Sequence, residues 1–185
     1  MRKDLGVKTW MYPMPVLIVA AYDTQGLPNA MNAAWGGIYT DDMIGICLAE
    51  EHKTTRNILA TKAFTVSMAT VDSVTACDYV GIVSGDKVPD KLARAGFRIT
   101  PSKCVNAPLI EELPMTLECE LVSYDVESNH MVGRIVNISA DERILTDGRI
   151  DVSKLRPITY DPVAHQYLSI GHKVAQAFSE GKKLK

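Results

Sequence analysis

Apolar positions along this chain gather in short runs separated by turn-forming residues, and few segments carry a helical stripe. Residues 15–22 read PVLIVAAY and stop at Asp23-Thr24-Gln25-Gly26, which predicts a strand followed by a turn. The polar stretch Leu27-Pro28-Asn29-Ala30-Met31-Asn32 reads as a turn-prone connection, and residues 33–38 as a short strand in which Gly36-Gly37 invites a bulge or a close backbone approach. Residues 43–49 are nearly all apolar and predict a third strand. Residues 53–61 change character. Ile58 and Leu59 lie on one side of a short helix that Thr54 or Thr55 is placed to cap. Residues 64–69 return to strand.

Val71, Val74, Cys77, Tyr79 and Val80 suit a helix closing near Gly81 or Gly85, and residues 87–96 a second short helix ending at glycine. Residues 115–124, MTLECELVSY, alternate. Leu117, Cys119 and Leu121 share one face, and Glu118, Glu120 and Val122 the other. Ser128-Asn129-His130 predicts a turn and residues 131–138 the antiparallel partner, with a further strand at 158–160. Residues 171–179 read as a terminal helix docking through Val174 and Phe178, and residues 101–114 as a long irregular cover over a site or interface. Many short strands with scattered short helices predict a mainly β fold, a small barrel, in place of a doubly wound sheet.

A chain of 185 residues is sized for a single domain spanning 1–185. With 20 basic and 22 acidic residues and a net charge of -2, it lacks the basic excess of a general nucleic-acid binder; the cluster Lys182, Lys183 and Lys185 reads as a solvated terminus. No apolar run is long enough for a spanning helix and none resembles a secretory segment, so no membrane role and a cytoplasmic location are expected. Cys47, Cys77, Cys104 and Cys119 are widely spaced among apolar neighbours and read as buried reduced thiols. His165 and His172 lack a third ligand, and no metal is expected.

The dinucleotide fingerprint GxGxxG, the P-loop, HExxH and GxSxG are all absent. Two segments carry candidate chemistry. His52-Lys53-Thr54-Thr55-Arg56-Asn57 stands where a strand gives way to a helix, so open backbone N–H groups, an ammonium and hydroxyls converge on a cradle suited to phosphate. A capped helix with a solvated first turn accounts for the same residues. Asn29-Ala30-Met31-Asn32-Ala33-Ala34-Trp35 offers amides and backbone groups for the polar edge of a flat heterocycle, with Trp35 either flanking it or packing in a core or interface.

Taken in order, these segments resemble the flavin reductase-like family of FMN-binding split β-barrels, near its flavoredoxin branch. The resemblance covers almost the whole chain. It rests on Pro28-Asn29-Ala30-Met31-Asn32 with Trp35, His52-Lys53-Thr54-Thr55-Arg56-Asn57-Ile58, Phe64-Thr65-Val66-Ser67-Met68, Cys77-Asp78-Tyr79-Val80-Gly81, Ser84-Gly85-Asp86-Lys87, Leu117-Glu118-Cys119, His130, Gly133, Tyr167 and Gly171.

The resemblance implies an FMN-binding split barrel with short peripheral helices and a C-terminal helix. It implies Lys53 and Thr54 at the FMN phosphate and Asn57 at the helix start. Asn29, Ala30, Met31, Asn32 and Trp35 would lie by the ring or ribityl chain, and Ala49, Glu50 and Glu51 beside the phosphate loop. The backbone at Ser67, Met68 and Ala69 would also approach the flavin. It further implies a homodimer with the flavin near the subunit interface, closed by the partner through Tyr167 or His172. The function implied is FMN-dependent oxidation and reduction with NADH or NADPH as donor and a small-molecule or protein redox partner, as a flavin reductase or an electron carrier. A non-enzymatic flavin- or haem-binding barrel is the alternative. His52 stands where the family usually has arginine, which weakens the phosphate site unless Arg56 compensates. Of the two neighbouring acids, at least Glu51 is expected to face solvent.

Overall fold

In the computed structural model, which describes residues 1–184, the uninterrupted apolar run at residues 17–21 has a direct explanation. Its strand is buried on both faces. Leu17, Val19 and Ala21 enter one core cluster, and Ile18 and Ala20 enter another. A strand covered on one side only would alternate with polar residues.

The elements in chain order are β1 (Met14–Pro15), β2 (Leu17–Tyr22), β3 (Pro28–Ala33), β4 (Gly36–Thr40), β5 (Met43–Cys47), α1 (Lys53–Thr61) and β6 (Ala63–Met68). A 3-10 turn at Val71–Ser73 leads into α2 (Val74–Ile82), followed by α3 (Lys91–Arg94), β7 (Ile99–Pro101), β8 (Pro108–Ile110), β9 (Met115–Asp125) and β10 (His130–Ala140). After them come β11 (Leu145–Thr146), β12 (Arg149–Ile150), α4 (Val152–Leu155), β13 (Ile158–Asp161) and β14 (Gln166–Ser169). Seven antiparallel strands form one curled sheet in the order β3-β2-β6-β9-β10-β5-β4, and β1, β13 and β14 form a second, smaller sheet. This is the split-barrel arrangement, mainly β with short helices.

The first cluster fills the curl. Phe64, Val66, Leu117, Cys119, Ile44, Ile46 and Met131 meet there, and Ile58 of α1 packs among them. Burying a side chain such as Phe64 contributes roughly 1.5–3 kcal/mol. The second cluster lies on the opposite face, where Cys77 and Val80 of α2 and Leu92 of α3 cover Ile18, Ala20 and Ala30. The two helices are thereby fixed against β3, the edge strand that borders the candidate site.

Several expectations are corrected here. Residues 28–33 form a strand, because pairing with β2 from Leu17↔Ala33 to Tyr22↔Pro28 outweighs their turn-prone composition. Helix α1 takes His52 as its N-cap, and Thr54 and Thr55 are buried within its first turn. The helix expected over 87–96 is confined to α3. The terminal helical element is a 3-10 segment at Glu180–Leu184, and Val174 and Phe178 are fully exposed instead of docked. Cys77 and Cys119 are buried, with thiols pushed by burial up to about 11 and about 12, but Cys47 and Cys104 are exposed.

The polar face of β9 is not uniformly solvated either. Glu118 is buried, accepting hydrogen bonds from Ser102 Oγ and from Asn137 Nδ2 at 2.6 Å. The segment expected to be an irregular cover carries β8 and, through Ser102, closes over this carboxylate. No helix among the described residues is long and apolar enough to cross a membrane.

Candidate functional site

Two connected chambers border β3. As an edge strand it leaves alternate backbone groups without a strand partner on its outer side. The wider chamber, about 470 Å³, lies between the β3–β4 connection, the segment after β5, α2 and the β13–β14 hairpin. Asn32, Trp35, Ala49, Asp78, Tyr160 and Tyr167 are among the side chains that face it. The narrower chamber, about 320 Å³, lies between β3, the start of α1 and the chain from Val80 to Gly85. Met31, Asn32, His52, Gly81 and Ile82 line both, so the two are continuous.

Their chemistry differs. The narrow chamber is lined by Lys53, Lys91 and Thr54, with exposed Glu51 at its edge. The His52 side chain makes no capping bond, so the N–H groups of the first turn of α1 await an outside acceptor. Thr54 Oγ1 accepts from Asn29 Nδ2 at 2.6 Å, which leaves the hydroxyl proton to donate elsewhere. The buried Thr55 Oγ1 beside it has no partner among the described residues.

Lys91 is only 2% exposed, yet its ammonium donates to the carbonyls of Val80 at 3.0 Å and Val83 at 2.9 Å. One N–H remains. Burial, reinforced by the charge of Lys53, pushes its pKa down to about 8. Gly85 lets this wall approach β3, because a Cβ there would stand 2.0 Å from Asn29 Oδ1. Two ammonium groups, a hydroxyl and open amides make a donor set suited to a phosphate.

Arg56 does not join that set. Its Nη2 binds both carboxylate oxygens of Asp86, at 2.9 and 2.8 Å, and its Nη1 donates to the Glu51 carbonyl. Arg56 thus secures the 84–87 loop, and the second cationic side chain in the narrow chamber beside Lys53 is Lys91.

The wide chamber carries one Asp, Glu, Lys or Arg side chain in its lining, Asp78. Tyr167 donates to Asp78 Oδ1 at 2.8 Å, and Tyr160 Oη lies 2.8 Å from His165 Nδ1. His165 holds a left-handed backbone, φ 55°, in the β13–β14 turn. That turn is organised by Asp161, whose carboxylate accepts from Val163 N at 2.9 Å, Gln166 Nε2 at 3.0 Å and the Tyr12 hydroxyl. The Tyr12 bond is the leading reason that Asp161 titrates at about 2.

Residues 9–161 match the flavin reductase like domain. The chain belongs to this family. Among solved structures, it is similar to the flavoredoxin of Desulfovibrio vulgaris (Miyazaki F), with 36% identity and a TM-score of 0.93 over 98% of this chain and 100% of that one. It is also similar to flavoredoxin from Methanosarcina acetivorans, at 27% identity and a TM-score of 0.89 with both chains fully covered. An uncharacterized protein of Aeropyrum pernix is 29% identical over 125 residues, 66% of this chain and 47% of that protein. The chain thus spans about half the length of that relative. Membership and fold support an FMN-binding, oxidoreductase-type function in broad terms.

Of the residues that the flavin reductase-like resemblance singled out, Asn29, Met31, Asn32, Trp35, Ala49, His52, Lys53, Thr54 and Tyr167 line the two chambers. Tyr167 does so in its own chain. Ala30 faces the second core cluster, and Asn57 is buried in α1 with its Nδ2 unpartnered among the described residues. Glu50 is exposed outside both chambers, whereas Glu51, expected in solvent, is exposed but borders the narrow one. Ser67 is buried against Thr116 at 2.8 Å, and Met68 and Ala69 line a separate apolar cleft. These three lie on or just after β6, an interior strand, and are thus removed from the β3 edge. His172 is exposed and lines neither chamber.

Lys91, Asp78, Tyr160 and His165 went unassigned from sequence. Lys91 gave no usable signal, lying in the charged turn Asp90-Lys91-Leu92-Ala93-Arg94. The other three had none either, since separate elements bring them together.

Proposed function

We propose that the chain holds FMN across the two chambers and uses it for two-electron transfer, as a flavoredoxin-like electron carrier or an NAD(P)H-dependent flavin reductase. The observation that carries this reading is the change of chemistry between joined spaces. One is wide, aromatic and nearly uncharged, and the other is cationic and lined with hydroxyl and amide donors. FMN has the same order of parts: a flat heterocycle, a polyol and a phosphate.

Lys53, Lys91, Thr54 and the first-turn amides of α1 would hold the phosphate. Asn29, Met31 and Asn32 line the route of the polyol, and Asn32, Trp35 and Ala49 border the ring. Bound there, FMN supplies hydride acceptance and release, and the protein supplies orientation and electrostatics. Trp35 is 52% exposed and Cys47 is also exposed, so the chamber is open to solvent on one side. A nicotinamide or a small acceptor could stack there without a dinucleotide domain of its own. The buried Lys91 anchor favours FMN as a resident group, and hence the carrier form.

The acting unit in this proposal is a homodimer with the flavin near the subunit interface. Exposed Trp35, Ile38 and Tyr39, on and beside the edge strand β4 next to the wide chamber, support it.

Fluorescence titration of flavin-free protein with FMN and with riboflavin tests the reading. A hydrogen bond to a charged phosphate contributes about 1.5–3 kcal/mol, so riboflavin should bind more than about tenfold more weakly. Equal affinity for the two, or binding of neither, overturns it. NADH or NADPH oxidation with and without added FMN then separates reductase from carrier.

A further inference from the structure

We infer that Asp78, partly masked by Tyr167, tunes the wide chamber against a reduced flavin and so makes the bound group a stronger electron donor. The inference rests on the FMN reading above. Asp78 projects from α2 into the wide chamber and is half-buried. No ion pair among the described residues involves it. Its side-chain hydrogen bond comes from the Tyr167 hydroxyl, at 2.8 Å.

Burial, together with the bond to Asp78, raises the Tyr167 hydroxyl to about 12, so the phenol keeps its proton and points it at the carboxylate. Tyr167 Oη is also a long 3.4 Å from Asn32 Nδ2, on the residue that borders both chambers. The lysines of the site stand in the other chamber, where a phosphate dianion would offset them. No lysine or arginine side chain lines the ring end to pair with Asp78.

Two-electron reduction of FMN with uptake of one proton leaves a negative charge on the ring. A carboxylate facing that space disfavours the reduced state and lowers the potential. The hydrogen bond from Tyr167 withdraws part of that charge and moderates the effect. A carboxylate present merely to hold α2 against the hairpin would have no reason to discriminate between oxidised and reduced flavin.

The experiment is a dye-equilibrated redox titration of the FMN-loaded wild type, Asp78→Asn and Tyr167→Phe, with Kd measured separately for oxidised and reduced FMN. Asp78→Asn should reduce the preference for oxidised FMN by about tenfold, on the order expected for one neighbouring charge. That is a rise of about 30 mV for a two-electron couple. Tyr167→Phe removes the mask and should shift the potential the other way. An unchanged or lowered potential in Asp78→Asn, or a shift of the same sign in both variants, overturns the inference. If Asp78→Asn does not fold, Tyr167→Phe decides: a lowered potential supports it, and an unchanged or raised one overturns it. Wild-type protein that binds no FMN rejects the FMN reading itself, whereas one that binds FMN with a potential indifferent to Asp78 rejects only this inference.

Discussion

Raising the pH should loosen FMN while stabilising the flavin-free protein, and Lys91 is the cause of both effects. Its amine is almost fully buried, and its pKa is lowered from 10.5 to about 8 by burial and by Lys53. A phosphate carries its full charge above a second pKa of about 6, so around pH 8 the phosphate is constant while Lys91 changes state. If binding requires the ammonium, the apparent Kd for FMN is nearly constant up to pH 7. It then rises by about tenfold for each unit well above pH 8.

For folding the sign is reversed. Between about pH 8 and 10.5 the unfolded chain keeps a proton that the folded chain has released, so flavin-free stability increases with pH over that window. The assay is FMN titration from pH 6.5 to 9.5 with riboflavin alongside, since riboflavin shares any titration of the ring but lacks the phosphate. Lys91→Met should remove the pH step and weaken FMN by roughly 10- to 150-fold, equivalent to about 1.5–3 kcal/mol. FMN and riboflavin affinities that move in parallel with pH, or a folded Lys91→Met that binds FMN normally, would refute the reasoning.

Three further outcomes are expected. Thr54→Val strands the buried Asn29 amide, at a cost of about 1–3 kcal/mol; calorimetry should show Tm lower by several degrees and FMN titration a weaker Kd. Arg56→Ala breaks an ion pair whose side chains are about half exposed, so stability should change by no more than about 1 kcal/mol and FMN affinity by less than about fivefold; a larger loss of FMN would return Arg56 to the phosphate. Gly133→Ala would put a Cβ 2.3 Å from Phe64 Cζ, and the overpacking should cost about 1–3 kcal/mol, read as a lower midpoint in denaturant melts.

Elements whose own sequence dictates their packing were legible. The run at β2, the alternation of β9 with its turn and β10, and the span of α1 follow from apolar period and turn residues alone. Strand β3 was hidden because Pro28, Asn29 and Asn32 are poor strand formers that neighbouring β2 nonetheless pairs. The start of α1 was legible as a cluster of donors, since helix geometry converts a short string of residues into a set of open N–H groups, hydroxyls and an ammonium. Its counterpart was not. Lys91 lies 38 positions from Lys53 and reaches the chamber only because α2 and α3 pack on β3. Ser67, Met68 and Ala69 show the converse. The resemblance implied a place for them near a flavin, but the position of β6 inside the sheet keeps them out of the lining of both chambers.

The tether from Tyr12 to Asp161 has a practical consequence. The first residues of the chain look dispensable, being exposed and without regular structure up to β1. Yet β1 pairs with β13, and the Tyr12 hydroxyl grips the carboxylate that shapes the turn bearing His165. A trimmed leader, a bulky affinity tag placed close to Tyr12, or a protease nick in that arm would therefore reach the wide chamber from outside, by slackening its hairpin wall. Preparations differing only at this end should differ in ligand retention, and purification handles belong at a distance from it.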